Sequence, residues 1–314
     1  MDLPALRRFI AVAEHGSLSE AARSLNIAQP AVTRSIKVLE ASLGATLFER
    51  STLGMALTVF GEGLLPYART ILADAQRAVD EVQAIRGNLR GQVNLGITPN
   101  YADDIVPDAV AEVTRRWPDI RISVHVDFFV ALTQRLRRSE LDFVFGLVPP
   151  PNLGMHEPGL LVEELVKQPV GIVARAGHPL ARAGRGDVPL AELAACNWIV
   201  IAQQPAMSTF FYEKFVLAGL APPRQVIEAN STAFIKAILP LTDALAVLPD
   251  QLVRDELATG ALVRVHEGEL SGRAAAGFVR VHREVVSPAV QALTDAIRRR
   301  CLADRPARRR RRKG

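Results

Sequence analysis

The chain has 314 residues, 49% of them apolar and 23% charged, a balance that supports two or three compact units with buried cores. No run of ~18 apolar residues occurs, which argues against a membrane-spanning helix. The opening Met1-Asp2-Leu3-Pro4 leads straight into amphipathic sequence with no visible secretory signal, so a cytoplasmic protein is expected. Cys196 and Cys301 are far apart, lack metal-ligand spacing and suit a reducing compartment; no metal or cofactor is expected. The formal charge of +5 belongs to the end of the chain. Arg305, Arg308 to Arg312 and Lys313 carry seven positive charges, and residues 1–304 without them are net −2. Residues 303–314 therefore read as a disordered basic tail, able to attract phosphate non-specifically or simply to stay solvated.

Leu3, Leu6, Ile10 and Ala13, with Phe9 beside them, mark the apolar face of a first helix that Pro4 opens and Gly16 stops. Ser17-Leu18-Ser19-Glu20 has the form of a capping box: the Ser17 hydroxyl accepts from the backbone three residues on, and Glu20 reaches back. A short helix follows to Leu25, with Ala21 and Ala22 small enough for close approach, and Asn26 tolerates the left-handed turn that ends it. A third helix begins at Gln29-Pro30, buries Val32, Ile36 and Leu39, and stops at Gly44. Its opposite face offers Gln29, Thr33, Arg34 and Lys37. Two short helices joined by a tight turn, the second polar and basic from its start, form a helix-turn-helix whose second helix enters the major groove. Gln and Arg there can read base edges bidentately, while Thr33 and Lys37 suit bases or phosphates. Net charge adds little, since residues 1–60 carry six basic against five acidic side chains.

The run SEAARSLNIAQPAVTRSIKVLE, from Ser19 to Glu40, closely resembles the LysR-type transcriptional regulators. So do Leu43-Gly44-Ala45-Thr46-Leu47-Phe48-Glu49-Arg50 and the Leu57-Thr58 that opens a long helix. The resemblance continues more weakly through Arg175-Ala176-Gly177-His178-Pro179-Leu180 and Ala246-Val247-Leu248-Pro249, reaching everything but the arginine tail. It implies an α/β protein: an N-terminal winged helix-turn-helix, a dimerising linker helix, and a two-lobed effector domain like a periplasmic binding protein. It also implies that Gln29, Thr33, Arg34 and Lys37 face DNA and that Ala21, Ala22, Leu39 and Phe48 pack the domain. With Ser17, Pro30 and Arg50 these four are the candidate DNA-contacting residues. Three positions depart from the family. Ala28 stands where a Ser usually caps the recognition helix, a loss that typically costs ~1 kcal/mol. The wing, Ser51 to Leu57, lacks basic residues, and Thr242-Asp243-Ala244 replaces a glycine-containing turn.

Leu64, Ala68, Ile71, Ala75, Ala78, Val82 and Ile85 keep spacings of three and four between charged neighbours. That seam suits an antiparallel or parallel helix pair, hence a homodimer or homotetramer; it also suits packing on the chain's own effector domain. Two recognition helices would require an operator of approximate dyad symmetry.

From Gln92 the pattern changes: a strand at Val93, Leu95 and Ile97, a helix to Trp117, a strand at Ile120 to Val126, a helix at Leu132 to Arg138, and an apolar strand at Leu141 to Val148. Strands near 170–174, 198–201 and 225–228 with helices near 209–217 and 232–239 repeat the order. The segment 277–282 and a helix from Ser287 return to the first lobe. The expected units are 1–58, 59–89 and 90–302, with lobe I at about 90–162 and 268–302 and lobe II at about 163–267. Ligands of open α/β sheets sit beyond the carboxyl ends of strands, near helix N-termini. Thr98 and Asn100 at one such corner, and Gln203, Ser208 and Thr209 at another, are the candidate contacts of a small anionic or polar effector, with Phe128 or Phe129 as an apolar wall. Each is also an ordinary cap or turn residue. No HExxH, GxSxG, GxxxxGK[ST] or CxxC pattern occurs, so enzyme chemistry has no support. A solute-binding protein would fit the effector half alone, but not the helix-turn-helix. DNA, an effector and RNA polymerase are the expected partners, with no membrane.

Overall fold

A computed structural model describes residues 1–51, 54–86, 89–103, 105–148, 159–181, 188–201, 205–223, 226–266, 272–282 and 285–303; the side chains of 51, 205–210, 266, 272 and 273 lie outside it. Helices α1 (Leu3–His15), α2 (Leu18–Ser24) and α3 (Gln29–Leu43) are followed by the hairpin β1 (Phe48–Ser51) and β2 (Gly54–Leu57), then by the 27-residue helix α4 (Val59–Ile85).

Local chemistry sets each boundary in this first unit. The Asp2 carboxylate accepts from Ala5 N at 2.7 Å to cap α1, and Gly16 closes it at φ +62. Ser17 caps α2 by accepting from Glu20 N at 3.4 Å. The other half of the expected box is absent: the Glu20 carboxylate takes Arg23 at 2.6 Å instead, an exposed pair one helical turn away. Asn26 turns the chain at φ +53, and Gly44 ends α3 at φ +64. Ala28 sits at the head of α3 in extended backbone with no side-chain cap. Ala28→Ser should therefore stabilise this unit by ~1 kcal/mol, read as a rise in the urea midpoint of its unfolding.

Of the expected face of α1, Leu6 and Phe9 are buried and Ile10 and Ala13 pack against the core, whereas Leu3 is 43% exposed; Ala5, Ala11 and Val12 are buried beside them. The helix packs against α2, α3 and α4 together, so its apolar arc is widened from the one a single neighbour would need. Phe9 meets Phe48 of β1 with ring centroids 5.3 Å apart, inside a core with Ala21, Ala22, Val32, Ile36 and Leu39. The hairpin is anchored from both sides. Glu40 of α3 accepts from Leu47 N and Phe48 N at 2.7 and 3.3 Å, and Met55 N donates to Gly16 O at 2.7 Å. Gly54, at φ +122, permits that approach, because a Cβ there would lie 2.4 Å from Gly16 O.

The seam on α4 divides. Ala68 is buried in the winged unit's core, with Leu64, Leu65, Ile71 and Leu72 packed against it. Farther along, Val82 and Ile85 are 51% and 78% exposed.

The remaining strands form one mixed sheet. Among the described residues its order is β4 (Ile120–Val126), β3 (Gly91–Ile97), β5 (Phe143–Val148), β11 (Gly272–Val281), β6 (Leu160–Arg175), β9 (Ala244–Pro249), β7 (Asn197–Ile201) and β8 (Val226–Ala229), with β10 (Leu262–His266) also on β6. Lobe I has α5 (Ile105–Arg116) and α11 (Pro288–Ala303) over the apolar side chains of β3, β5 and β11. Its other face is covered by α6 (Phe129–Arg137). In lobe II, Trp198 packs edge-on against Phe211 of α8 (Pro205–Leu217) at 4.8 Å and donates to Leu193 O in α7 (Leu190–Ala194) at 2.9 Å. Helices α9 (Thr232–Ile238) and α10 (Arg254–Thr259) complete it.

The chain crosses between lobes inside β6: residues 160–170 pair with β11, and 170–175 with β9 and β10. The strand expected at 170–174 is thus only the second half of a 16-residue one. Glu163, Glu164 and Lys167 hid the first half by interrupting its apolar alternation. No strand was expected at β9 or β10, and α8 starts at Pro205 rather than near Thr209.

The departure at Thr242-Asp243-Ala244 has a structural reading. Arg175 at the end of β6 donates to the Asp243 carboxylate through Nε at 2.7 Å, with Nη2 at 2.6 Å. His178 sits buried alongside; its Nδ1 accepts from Leu180 N at 3.1 Å, which leaves Nε2 to donate to Asp243 O at 3.3 Å. The ring is therefore held neutral. Burial lowers its pKa below the ordinary 6.5, and the Asp243 carbonyl and charge offset this only in part. A lowered folded value means that stability is complete above 6.5 and declines as pH falls below it toward the folded value. Wild-type denaturation midpoints should fall between about pH 7.5 and 5.5, and His178→Gln should flatten that dependence. Equal slopes for both proteins would refute the assignment.

Candidate nucleic-acid interface

The side of α3 away from the core is Gln29, Pro30, Thr33, Arg34, Lys37, Val38 and Ala41, which together line a shallow concave surface. The helix spacing explains the separation: Val32, Ile36 and Leu39 are buried, and residues one or two positions on point outward. Among the described residues nothing pairs with the Gln29 side chain, the Arg34 guanidinium or the Lys37 ammonium. The Thr33 hydroxyl donates back to Gln29 O at 3.2 Å, leaving its methyl and lone pairs outward. Val38, absent from the sequence-based set, is 61% exposed on this face. Its signal was available, since it lies one turn beyond Arg34. Arg8 of α1 donates to Ser35 at 3.1 Å and steadies the helix from its flank.

The other two candidates stand differently. Arg50 is exposed on β1. Ser17 is half-buried, with its hydroxyl already capping α2.

In lobe I the effector candidates gather at the carboxyl ends of neighbouring strands. Thr98 follows β3; its Oγ1 accepts from Leu147 N of β5 at 3.0 Å, and its N–H donates to Phe145 O at 3.2 Å. Gly146 leaves the space, because a Cβ there would lie 2.1 Å from that hydroxyl. Thr98, Asn100 and Phe128 are all buried, and Phe128 leads into α6 just beyond β4. Gln203 lies outside the described residues, as do the side chains of Ser208 and Thr209. With α8 beginning at Pro205, Ser208 is the fourth helical residue and Thr209 the fifth, so the Thr209 N–H falls within the helical ladder rather than among its free donors.

The thiols offer no reactive centre. Cys196 donates to Glu192 O at 3.3 Å, and burial, with Glu192 nearby, pushes its pKa up; Cys301 is wholly buried. No helix among the described residues is long and apolar enough to cross a membrane.

An exposed recognition-type helix beside a two-lobed α/β unit defines a class, the DNA-binding regulators that carry their own sensor. Residues 3–62 match the bacterial regulatory helix-turn-helix protein, lysR family, and residues 86–302 match the LysR substrate binding domain. The chain belongs to the LysR family of transcriptional regulators: it binds DNA and has an effector-binding domain. It is 33% identical to the SDS degradation transcriptional activation protein of a Pseudomonas species, over 94% of this chain and 95% of that one. It is 32% identical to the regulator GbpR of Azospirillum brasilense, over 82% and 74% respectively. Such relatives are named as regulators, not as enzymes or solute carriers. The fold is shared with a full-length OxyR of Pseudomonas aeruginosa (TM-score 0.71, 22% identity, 95% of each chain covered). It is also shared with full-length CbnR solved with its target DNA (TM-score 0.62, 22% identity, 96% and 100% covered).

Proposed function

We propose that the outer face of α3 enters the major groove, with Gln29 and Arg34 reading base edges and Thr33 and Lys37 holding bases or phosphates. Pro30 lies on that face, and Ser17 at the head of α2 and Arg50 on β1 are the further contacts in this reading. The observation that carries this reading is the unpaired, exposed state of Gln29, Arg34 and Lys37 on one helix face. CbnR, a similar fold, was solved on its target DNA, which supports the same use here.

The units we assign are 1–58 for DNA, 59–89 for the linker and 90–302 for the sensor, whose lobes (about 90–162 with 268–302, and 163–267) join through β6. Between them a small anionic or polar effector would meet Thr98, Asn100 and Phe128 on one side and Gln203, Ser208 and Thr209 on the other. The buried Thr98 can still donate its hydroxyl proton, since the bond from Leu147 uses only a lone pair. The effector would favour one arrangement of the protein on a pseudo-dyad operator, changing DNA bend and the access of RNA polymerase in the cytoplasm. Titrating candidate metabolites while following the DNase footprint tests this. A ligand that binds and leaves the footprint unchanged would sink it.

Homodimers or homotetramers supply the paired recognition helices. Phe60, Tyr67, Ala78, Val82 and Ile85 form an exposed stripe along α4 at helical spacing. Val82→Asp with Ile85→Asp should shift the protein toward monomer in sedimentation and lower operator affinity; an unchanged mass would remove this stripe from the interface. Deleting Arg308 to Lys313 should flatten the salt dependence of binding if the tail touches DNA.

A further inference from the structure

Arg69, in the first half of α4, joins the winged unit to the sensor. Its side chain is only 14% exposed and it forks. Nη2 donates to Glu14 in the last turn of α1 at 3.1 Å, and Nη1 donates to Glu140, in the turn between α6 and β5, at 2.9 Å. The second Glu140 oxygen accepts from Arg135 Nε at 3.1 Å. One residue along, Thr70 donates its hydroxyl proton to Pro66 O at 2.9 Å, so in its 2.9 Å contact with Ser139 the Ser139 hydroxyl is the donor. Ser139 is held at φ +55, a left-handed conformation disfavoured by roughly 1–2 kcal/mol in a residue with a Cβ. Thus two consecutive residues of α4 grip two consecutive residues of one constrained turn.

This differs from the exposed pairs elsewhere on the surface. Glu20 and Arg23 belong to one helix, and their pairing fixes nothing beyond it. Arg69 instead connects side chains 55 and 71 positions away, in separate units; its guanidinium and Glu140 are largely buried, while Glu14 is half-exposed. A planar guanidinium can satisfy two carboxylates in fixed directions, which an ammonium cannot. Removing the cation would leave Glu14 without its partner and Glu140 with Arg135 alone.

We propose that Arg69 is a positioning residue for DNA recognition: its fork sets the direction in which the winged unit leaves the sensor, and so the spacing and tilt of two recognition helices on a paired site. This rests on the reading that the outer face of α3 contacts DNA, and the experiment separates the two. Full-length protein is bound to a duplex carrying the DNA upstream of its own gene, and to the same duplex cut to leave half the footprint. Affinity, hydroxyl-radical footprint and DNA bend by end-to-end energy transfer are measured for wild type, R69A, R69K, E14Q, E140Q and R34A.

R69A is expected to leave half-site affinity unchanged within about twofold, to lower full-site affinity about fivefold or more, and to alter the bend. R69K, which keeps the charge but not the fixed directions of the fork, should fall between. E14Q and E140Q should each move the bend in the same direction as R69A and have no further effect in its background. If R69A does not fold, E14Q and E140Q, which change no shape, carry the same test. An R69A bend and footprint identical to wild type, or an equal loss on half and full sites, overturns the proposal. R34A reports on the other reading, because its loss must show on the half-site; if it does not, the α3 assignment fails while the Arg69 result stands on its own.

Discussion

Phe9→Ala should cost the winged unit about 3–5 kcal/mol and abolish operator binding at ordinary temperature. Phe9 is completely buried, and it touches both the helix-turn-helix core and Phe48 at the start of the wing. Removing the ring leaves a void where the wing meets the helices, at a junction that Leu47, Met55 and Leu57 also pack and that the Glu40 bonds to Leu47 and Phe48 and the Gly16–Met55 backbone bond align. A loss of that size is comparable with the whole stability of a small domain. Thermal unfolding followed by gel shift would show it. Phe9→Leu, which keeps most of the volume, should retain binding with a smaller drop in midpoint. If Phe9→Ala bound as wild type does, the packing account of the wing would be wrong.

Arg34→Ala should weaken specific operator binding by ~1–3 kcal/mol with no measurable change in folding stability. Arg34 is exposed, and among the described residues nothing in the chain competes for its guanidinium, so no internal bond is lost on truncation. A base contact predicts that the loss is confined to the operator and that the salt slope is nearly unchanged. A phosphate contact predicts a loss on every sequence and a slope reduced by about one. Arg34→Lys distinguishes further, because a lysine keeps the charge but cannot make the bidentate fork that a guanine edge accepts. Unaltered operator affinity at matched salt would refute any DNA contact by this residue.

These expectations draw on unequal shares of sequence and structure. The helix-turn-helix was legible because its signals are local. Ser17, Asn26, Pro30 and Gly44 act on the backbone within four residues, and each acts in the structure as its chemistry requires. The outward set Gln29, Thr33, Arg34 and Lys37 follows from helical spacing once Val32, Ile36 and Leu39 are seen as the core face. On α1 the buried arc includes Ala5, Ala11 and Val12 beside the apolar stripe, because three neighbouring helices widen it beyond what one stripe of residues displays.

The sensor half was legible as an alternation of strands and helices but not as a sheet. β6 is one strand through both lobes, and its charged first half is ordered by β11 and by Arg298 of α11, both over a hundred residues away. The roles of Asp243, Glu140 and Glu14 were equally hidden, since each is an unremarkable surface acid until folding brings Arg175 or Arg69 to it.

By itself, then, the sequence determined the identity of the family, the three helices of the winged unit with their boundaries, and the side of α3 that faces away from the core. Those depend on bonds and spacings within a helical turn or two, where neighbours in sequence are neighbours in space. Only the tertiary structure decided which part of α4 is spent on the winged core and which remains exposed, where β6 passes between lobes, and how Arg69 ties one unit to the other. Those depend on contacts between residues far apart in the chain, whose pairing is set by packing and not by local pattern.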